Sequence, residues 1–137
     1  MTLVVDAGPL YAHMDADDTF HAAARDLLTR HRGPLVLPVL AIAEVVHILA
    51  SRLGNRAEVA LLGDLEDGLF EVEQVHQQDW PRIRELVEQY ADLPLGTTDA
   101  SVIAAAERLR VTEVATTDRR HFSVVRPKHV SAFTLLP

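Results

Sequence analysis

Four acidic residues stand where an apolar core would otherwise continue. Asp6 closes the run Leu3-Val4-Val5, and Glu44 separates Val39-Leu40-Ala41-Ile42-Ala43 from Val45-Val46. Asp99 opens an alanine-rich segment, and Asp118 follows Val114-Ala115-Thr116-Thr117. A carboxylate is costly to bury unless something neutralises it, and a donor set made only of oxygens suits a hard divalent cation. The expectation is a metal site built from Asp6, Glu44, Asp99 and Asp118.

Each acid also has an ordinary alternative. Asp6 suits the start of a turn at Gly8-Pro9. Asp99 falls in the first turn of a helix, where the dipole favours a carboxylate and capping alone accounts for it. Asp118 fits a solvated polar loop, Thr117-Asp118-Arg119-Arg120. Glu44 is the hardest to explain this way. Leu40, Ile42, Val45, Val46, Ile48 and Leu49 make its helix apolar over most of its circumference, which predicts burial. His47 and Ser51 share a stripe with it, and the competing reading is that this stripe faces solvent or a helix neighbour.

The elements that must position these acids alternate along the chain. Leu3–Asp6 reads as a buried strand with Gly8-Pro9 as the turn after it. A helix capped by Asp18 spans about Thr19–Arg30, a strand Leu35–Leu37, and a helix Val39–Leu53 stopped by Gly54. Asn55–Glu66 is helical, and Leu69–Val75 alternates like a strand. Helices follow from Asp79 to Tyr90 and, capped by Thr98, from Asp99 to Arg110. Strands Glu113–Thr117 and Ala132–Leu136 complete the pattern. Strands separated by helices predict a three-layer α/β/α sandwich with a mostly parallel central sheet. Ligands bind such sheets beyond the carboxyl ends of their strands, where Asp6 and Asp118 fall.

The chain has 137 residues, 48% apolar and 24% charged, the size and balance of one globular domain over residues 1–137. The longest apolar stretch is cut by Pro38, Glu44 and His47, and no basic leader precedes the first strand, so a cytoplasmic protein without a membrane span is expected. Zero cysteines exclude disulfides, zinc ribbons and thiol nucleophiles. A net charge of -7 argues against a broad duplex-binding surface. It leaves room for local guidance by Arg52 and Arg56, and by Arg119, Arg120, His121, Arg126, Lys128 and His129.

The ordered set Val4-Val5-Asp6 with Leu10 and Ala12, Ala43-Glu44-Val45, Thr98-Asp99-Ala100 with Ile103, Ala104 and Ala106, and Thr116-Thr117-Asp118-Arg119-Arg120-His121-Phe122 resembles a PIN domain, and within that family the VapC toxins of bacterial toxin–antitoxin pairs. No single piece is specific, but the four in order span nearly the whole chain. The resemblance implies a metal-dependent endoribonuclease. Asp6, Glu44, Asp99 and Asp118 become its catalytic quartet on Mg²⁺ or Mn²⁺, with Asp6 and Asp99 as direct ligands. Glu44 and Asp118 would bind a second ion or orient water, and Thr116 would hydrogen-bond a neighbouring carboxylate or the substrate. Such an ion lowers the pKa of water and stabilises the charge that builds on the phosphate, so no side-chain nucleophile is needed. It also implies an RNA substrate, a cognate antitoxin and a homodimer, with Leu61-Leu62-Leu65 as candidate surface or ordinary core.

Three other readings compete. A receiver domain wants paired acids after the first strand, where Ala7-Gly8 stands, and a haloacid-dehalogenase-like phosphatase wants a second aspartate where Gly8 stands. A non-catalytic PIN-like module that only binds RNA or protein keeps the same residues.

Overall fold

In the computed structural model, which describes Met1–Pro137, the short Val- and Leu-rich runs pair side by side into one sheet. The strands are β1 (Leu3–Val5), β2 (Leu35–Pro38), β3 (Glu71–Glu73), β4 (Glu113–Ala115) and β5 (Thr134–Leu136). Their order is β3-β2-β1-β4-β5, and all four pairings are parallel. The expected mostly parallel sheet is therefore wholly parallel. The helices are α1 (Ala7–Ala12), α2 (His21–Arg30), α3 (Val39–Arg52), α4 (Asn55–Glu66), α5 (Trp80–Gln89), α6 (Thr97–Leu109) and α7 (Arg119–Val124). No helix is long and apolar enough to cross a membrane.

Successive strand residues point to opposite faces, and both faces are covered. Val4, Val36 and Val114 enter a core with Ile83, Leu86, Ile103 and Phe122 from α5, α6 and α7. Leu3, Val5, Leu37 and Ala115 enter a second core with Leu10, Leu28, Val45, Leu49 and Leu61 from α1 to α4. The result is the α/β/α sandwich. Strands β1, β2 and β3 progress toward one edge, after which the chain crosses to β4 and β5 on the other side of β1. The junction of β1 and β4 is the topological switch point, the usual position of a ligand crevice.

Several local expectations are corrected. Gly8-Pro9 does not form a turn but lies within the first turn of α1, where proline's missing N–H costs nothing. Helix α6 begins at Thr97 with Gly96 as its N-cap, so Thr98 is inside the helix rather than capping it. Helix α2 begins at His21 with Phe20 before it, and Asp18 accepts a hydrogen bond from Phe20 N. Residues 119–124 are helical rather than a loop. Leu61 is fully buried, whereas Leu62 is exposed.

Helix α6 is buried along Ala100–Ala106, and the small side chains let the sheet, α3 and α5 approach it closely. Its far end is latched by ions. Arg82 donates through Nε and Nη2 to Glu107 at 2.8 Å each, and Arg108 pairs with Asp79 at 3.0 Å and Glu73 at 2.8 Å. At the opposite edge Gly8 meets the segment after β4. A Cβ on Gly8 would stand 2.1 Å from Thr117 Oγ1. Gly8→Ala is therefore expected to cost about 1–3 kcal/mol by overpacking, measured by urea denaturation. Thr117→Ala in the same chain should recover most of that loss.

Candidate metal centre

Asp6 is the first residue past β1, and its backbone N–H donates to Ala115 O at 2.9 Å, extending the pairing with β4 by one step. Thr116, the first residue past β4, donates in turn to Leu136 O at 2.8 Å. These bonds set the two side chains next to each other at the switch point. Thr116 Oγ1 donates to Asp6 Oδ2 at 3.0 Å and accepts from Asp118 N at 3.0 Å, so one hydroxyl ties two acids of the quartet together.

Asp6 is only 4% exposed, and its Oδ1 is buried with no hydrogen-bond partner. Burial pushes its pKa from the ordinary 3.8 to about 7; the hydrogen bonds from Ala7 N and Thr116 oppose this, and the charges of Asp99 and Glu44 add to it. Asp99 is raised as well, by burial first, with His121 opposing and Asp118 adding. Glu44 is raised by partial burial of its carboxyl and by Asp99. Thr116 joins Asp6 to Asp118 and His121 lies between Asp118 and Asp99, so these three share one neighbourhood; Glu44 is near enough to Asp6 and Asp99 to feel their charge, and four different segments supply the set.

Their individual settings differ. Asp99 lies in the first turn of α6. Asp118 caps α7 by accepting from His121 N at 3.3 Å, so the ordinary capping role and membership of the cluster coexist. His121 Nδ1 stands 2.8 Å from Asp118 Oδ2 and 3.2 Å from Asp99 Oδ2, without the alignment of a hydrogen bond to either. Glu44 departs from expectation because it is exposed rather than buried. The apolar circumference of α3 exceeds what its neighbours cover, and Ala43, Glu44, His47 and Ala50 all face outward. The solvent-facing stripe, with Ser51 also exposed, is the reading that holds.

No three Asp, Glu or His side chains form a ready ligand group around one point. Mg²⁺ does not require one, since it keeps several waters and binds through one or two carboxylates plus substrate phosphates. The donors present fit such an ion: all are hard oxygens apart from the imidazole of His121, and Asp6 Oδ1 is a buried acceptor without a donor.

Residues 3–127 match the PIN domain family. The chain belongs to the PIN-domain family. Ribonuclease VapC26 of Mycobacterium tuberculosis is 32% identical over 135 residues, which is 98% of this chain and 100% of that one. Among PIN domains, the chain stands with the VapC ribonuclease toxins. The fold is that of M. tuberculosis VapC20, a sarcin–ricin loop cleaving toxin, with a TM-score of 0.76 at 20% identity over 82% of this chain and 86% of that one. DNA-bound VapBC of Salmonella typhimurium is similar over 98% of each chain, with a TM-score of 0.72 at 14% identity.

Three of the basic residues after Asp118 are engaged within the fold of this PIN domain. His121 turns into the acidic site, while Arg119 donates to the carbonyls of Leu135 and Pro137. His129 lies against Val111 O. The sequence reading did not find the seat of Arg52 over the ring of Tyr11, 5.5 Å from its centroid, because only the packing of α3 on α1 creates it.

The shifted carboxyl of Asp6 links stability to pH. Between pH 4 and 7 the folded chain keeps a proton that the unfolded chain has released, so stability is fully present below the unfolded pKa of 3.8 and declines as pH rises toward the folded value of about 7. The term is on the order of 4 kcal/mol. In the absence of divalent ions, the melting temperature should fall by roughly 5–10 °C from pH 4.5 to 8. Asp6→Asn, which keeps an acceptor for Thr116, should remove most of that slope and melt at or above wild type at pH 8.

Proposed function

We propose that this PIN domain is a Mg²⁺- or Mn²⁺-dependent endoribonuclease and the toxin of a toxin–antitoxin pair. The observation that carries the metal reading is the buried, unpartnered Oδ1 of Asp6 amid three further acids. A carboxyl held near neutrality by burial becomes a strong oxygen ligand when a cation replaces its proton. In this reading Asp6 and Asp99 hold the ion directly. Glu44 and Asp118 take a second ion or orient the attacking water. A divalent ion there supplies charge neutralisation at the phosphate and a lowered pKa for water.

The remaining work falls to the protein. Thr116 fixes the rotamer of Asp6 and leaves its Oδ1 pointing free. His121, whose Nδ1 lies close to one oxygen of both Asp99 and Asp118, bridges the two carboxylates and holds them near each other. The VapBC assembly of similar fold supports an antitoxin partner, and a homodimer is part of the same reading. RNA is the substrate, with ribosomal, transfer and messenger RNA as the panel to test.

Purified protein should cleave RNA with Mg²⁺ or Mn²⁺ and not in EDTA. Asp6→Asn, Glu44→Gln, Asp99→Asn and Asp118→Asn should reduce cleavage to background while holding or raising metal-free stability, since each removes one of several like charges. Thr116→Val should lose roughly 10–100-fold in activity through misplacement of Asp6. Preserved cleavage with lower metal-free stability in all four acid variants would reassign the quartet to a structural role. Asp99→Asn retaining full activity, with a change of only a few tenths of a kcal/mol, would reduce Asp99 to a helix-start residue.

A further inference from the structure

Beside the acidic cluster, α1, α3 and the loop between α1 and α2 enclose a cleft of about 330 Å³, lined among others by Tyr11, Asp18, Phe20, Glu44, Arg52 and Thr117. Glu44 is one of the four acids, and Thr117 lies between Thr116 and Asp118 in the chain, so the cleft adjoins the acidic cluster. Three features give the cleft the chemistry of a nucleotide site. Arg52 is the only cation on its wall, it forms no ion pair, and it is seated over the Tyr11 ring at a distance typical of cation–π contact. Phe20, 45% exposed, presents its ring at the cleft's wall, free to stack on a base. Thr117 adds a hydroxyl next to the place where Gly8 lets the backbones approach.

The loop that carries Phe20 is held in place. Tyr11 Oη donates to Asp15 Oδ2, Asp15 Oδ1 accepts from Asp17 N at 3.0 Å, and Asp18 Oδ1 accepts from Phe20 N at 2.8 Å. His21 Nδ1 lies 2.8 Å from Ala12 O, tying the start of α2 to the end of α1. The same tyrosine thus anchors the loop through its hydroxyl and the guanidinium through its ring. A rigid ring beside a pre-placed guanidinium suits one unstacked base and its phosphate, because stacking needs a fixed platform and a phosphate needs a planar donor.

We infer that this cleft is a nucleotide subsite, in which Phe20 stacks the base next to the scissile phosphate and Arg52 binds the phosphate that follows it. The inference rests on the ribonuclease reading above. Asp18 faces the base edge, where its carboxylate accepts from amino or imino groups and disfavours a base that presents only acceptors. Arg52 and Phe20 are binding residues for the strand, separate from the groups that hold the ion.

The test uses the intact protein and short RNAs carrying one abasic nucleotide at successive positions, with binding read by fluorescence anisotropy in EDTA at low salt, where the strand stays whole. Wild type should show one position at which the missing base weakens binding. Phe20→Ala should weaken binding to intact RNA about tenfold and abolish the sensitivity at that position, whereas Phe20→Tyr should keep both. Arg52→Ala should lower the slope of log affinity against log salt by about 0.7, the share of one phosphate, and Arg52→Lys should keep that slope. In Mn²⁺, both alanine variants should raise KM more than they lower kcat. Wild-type protein that does not cleave RNA at all would fail the ribonuclease reading itself. Cleavage by wild type together with unchanged binding, salt slope and KM in both alanine variants would overturn the subsite alone. Unchanged RNA binding with a weakened toxin–antitoxin complex would assign the cleft to the protein partner and also overturn it.

Discussion

Burying Asp6 at the carboxyl end of the central strand costs free energy that the fold recovers only in part. The hydroxyl of Thr116 and the backbone N–H of Ala7 stabilise its charged form, but neither reaches Oδ1. The charges of Asp99 and Glu44 make the deficit larger. The rest of the architecture is arranged around holding this unfavourable group in place. β1 occupies the middle of the sheet, Asp6 N continues its pairing to β4, and Thr116 is fixed by its own bond to β5. A group that no protein donor satisfies is a reservoir of binding energy for a cation, and the sheet supplies the rigidity that keeps the group from relaxing into solvent.

Positions farther from the centre serve the same constraint. Helix α6 presents Asp99 at its first turn, while the latch of Arg82, Glu107, Arg108 and Asp79 grips its last turn against α5 and β3. These pairs are largely shielded from solvent, with the Arg82 and Glu107 side chains 12% and 9% exposed. Losing one partner would therefore leave the other charge buried and unpaired, a larger loss than for surface pairs. On the other side, α3 carries Glu44 on a helix face that its neighbours leave open. The site is thus built from one deeply buried acid, two of intermediate burial and one at the surface.

Much of this was legible in the residues. The alternation of apolar runs with helical periodicity located every strand and all helices except the shortest two, and the acids at strand ends marked the edge of the sheet where β1 and β4 bring Asp6 and Asp118 together. What escaped had physical causes. Helix α1 is six residues long and contains Gly8 and Pro9, which act as punctuation in most contexts but are harmless in a first turn. Helix α7, also six residues long, begins with the polar run Arg119-Arg120-His121, whose helicity depends on the cap from Asp118 and on burial of Phe122. Glu44 was misjudged because apolar periodicity reports what a helix is able to bury, not what its neighbours cover. The order of the strands and the meeting of Arg52 with Tyr11 are properties of packing that no local pattern encodes.

The bond between Thr116 and Asp6 joins residues 110 positions apart. Its consequence concerns time rather than energy. Parallel pairing over such a separation forms late, because the chain must close a long loop before any contact repays the entropy. A nascent chain on the ribosome holds Asp6 and Glu44 well before β4 and Asp118 have emerged, so it carries the acids of a site without the strand that brings them together. Until β4 and Asp118 emerge, Asp6 lacks both the hydroxyl of Thr116 and the strand that fixes its place, and a chain truncated before β4 lacks them permanently.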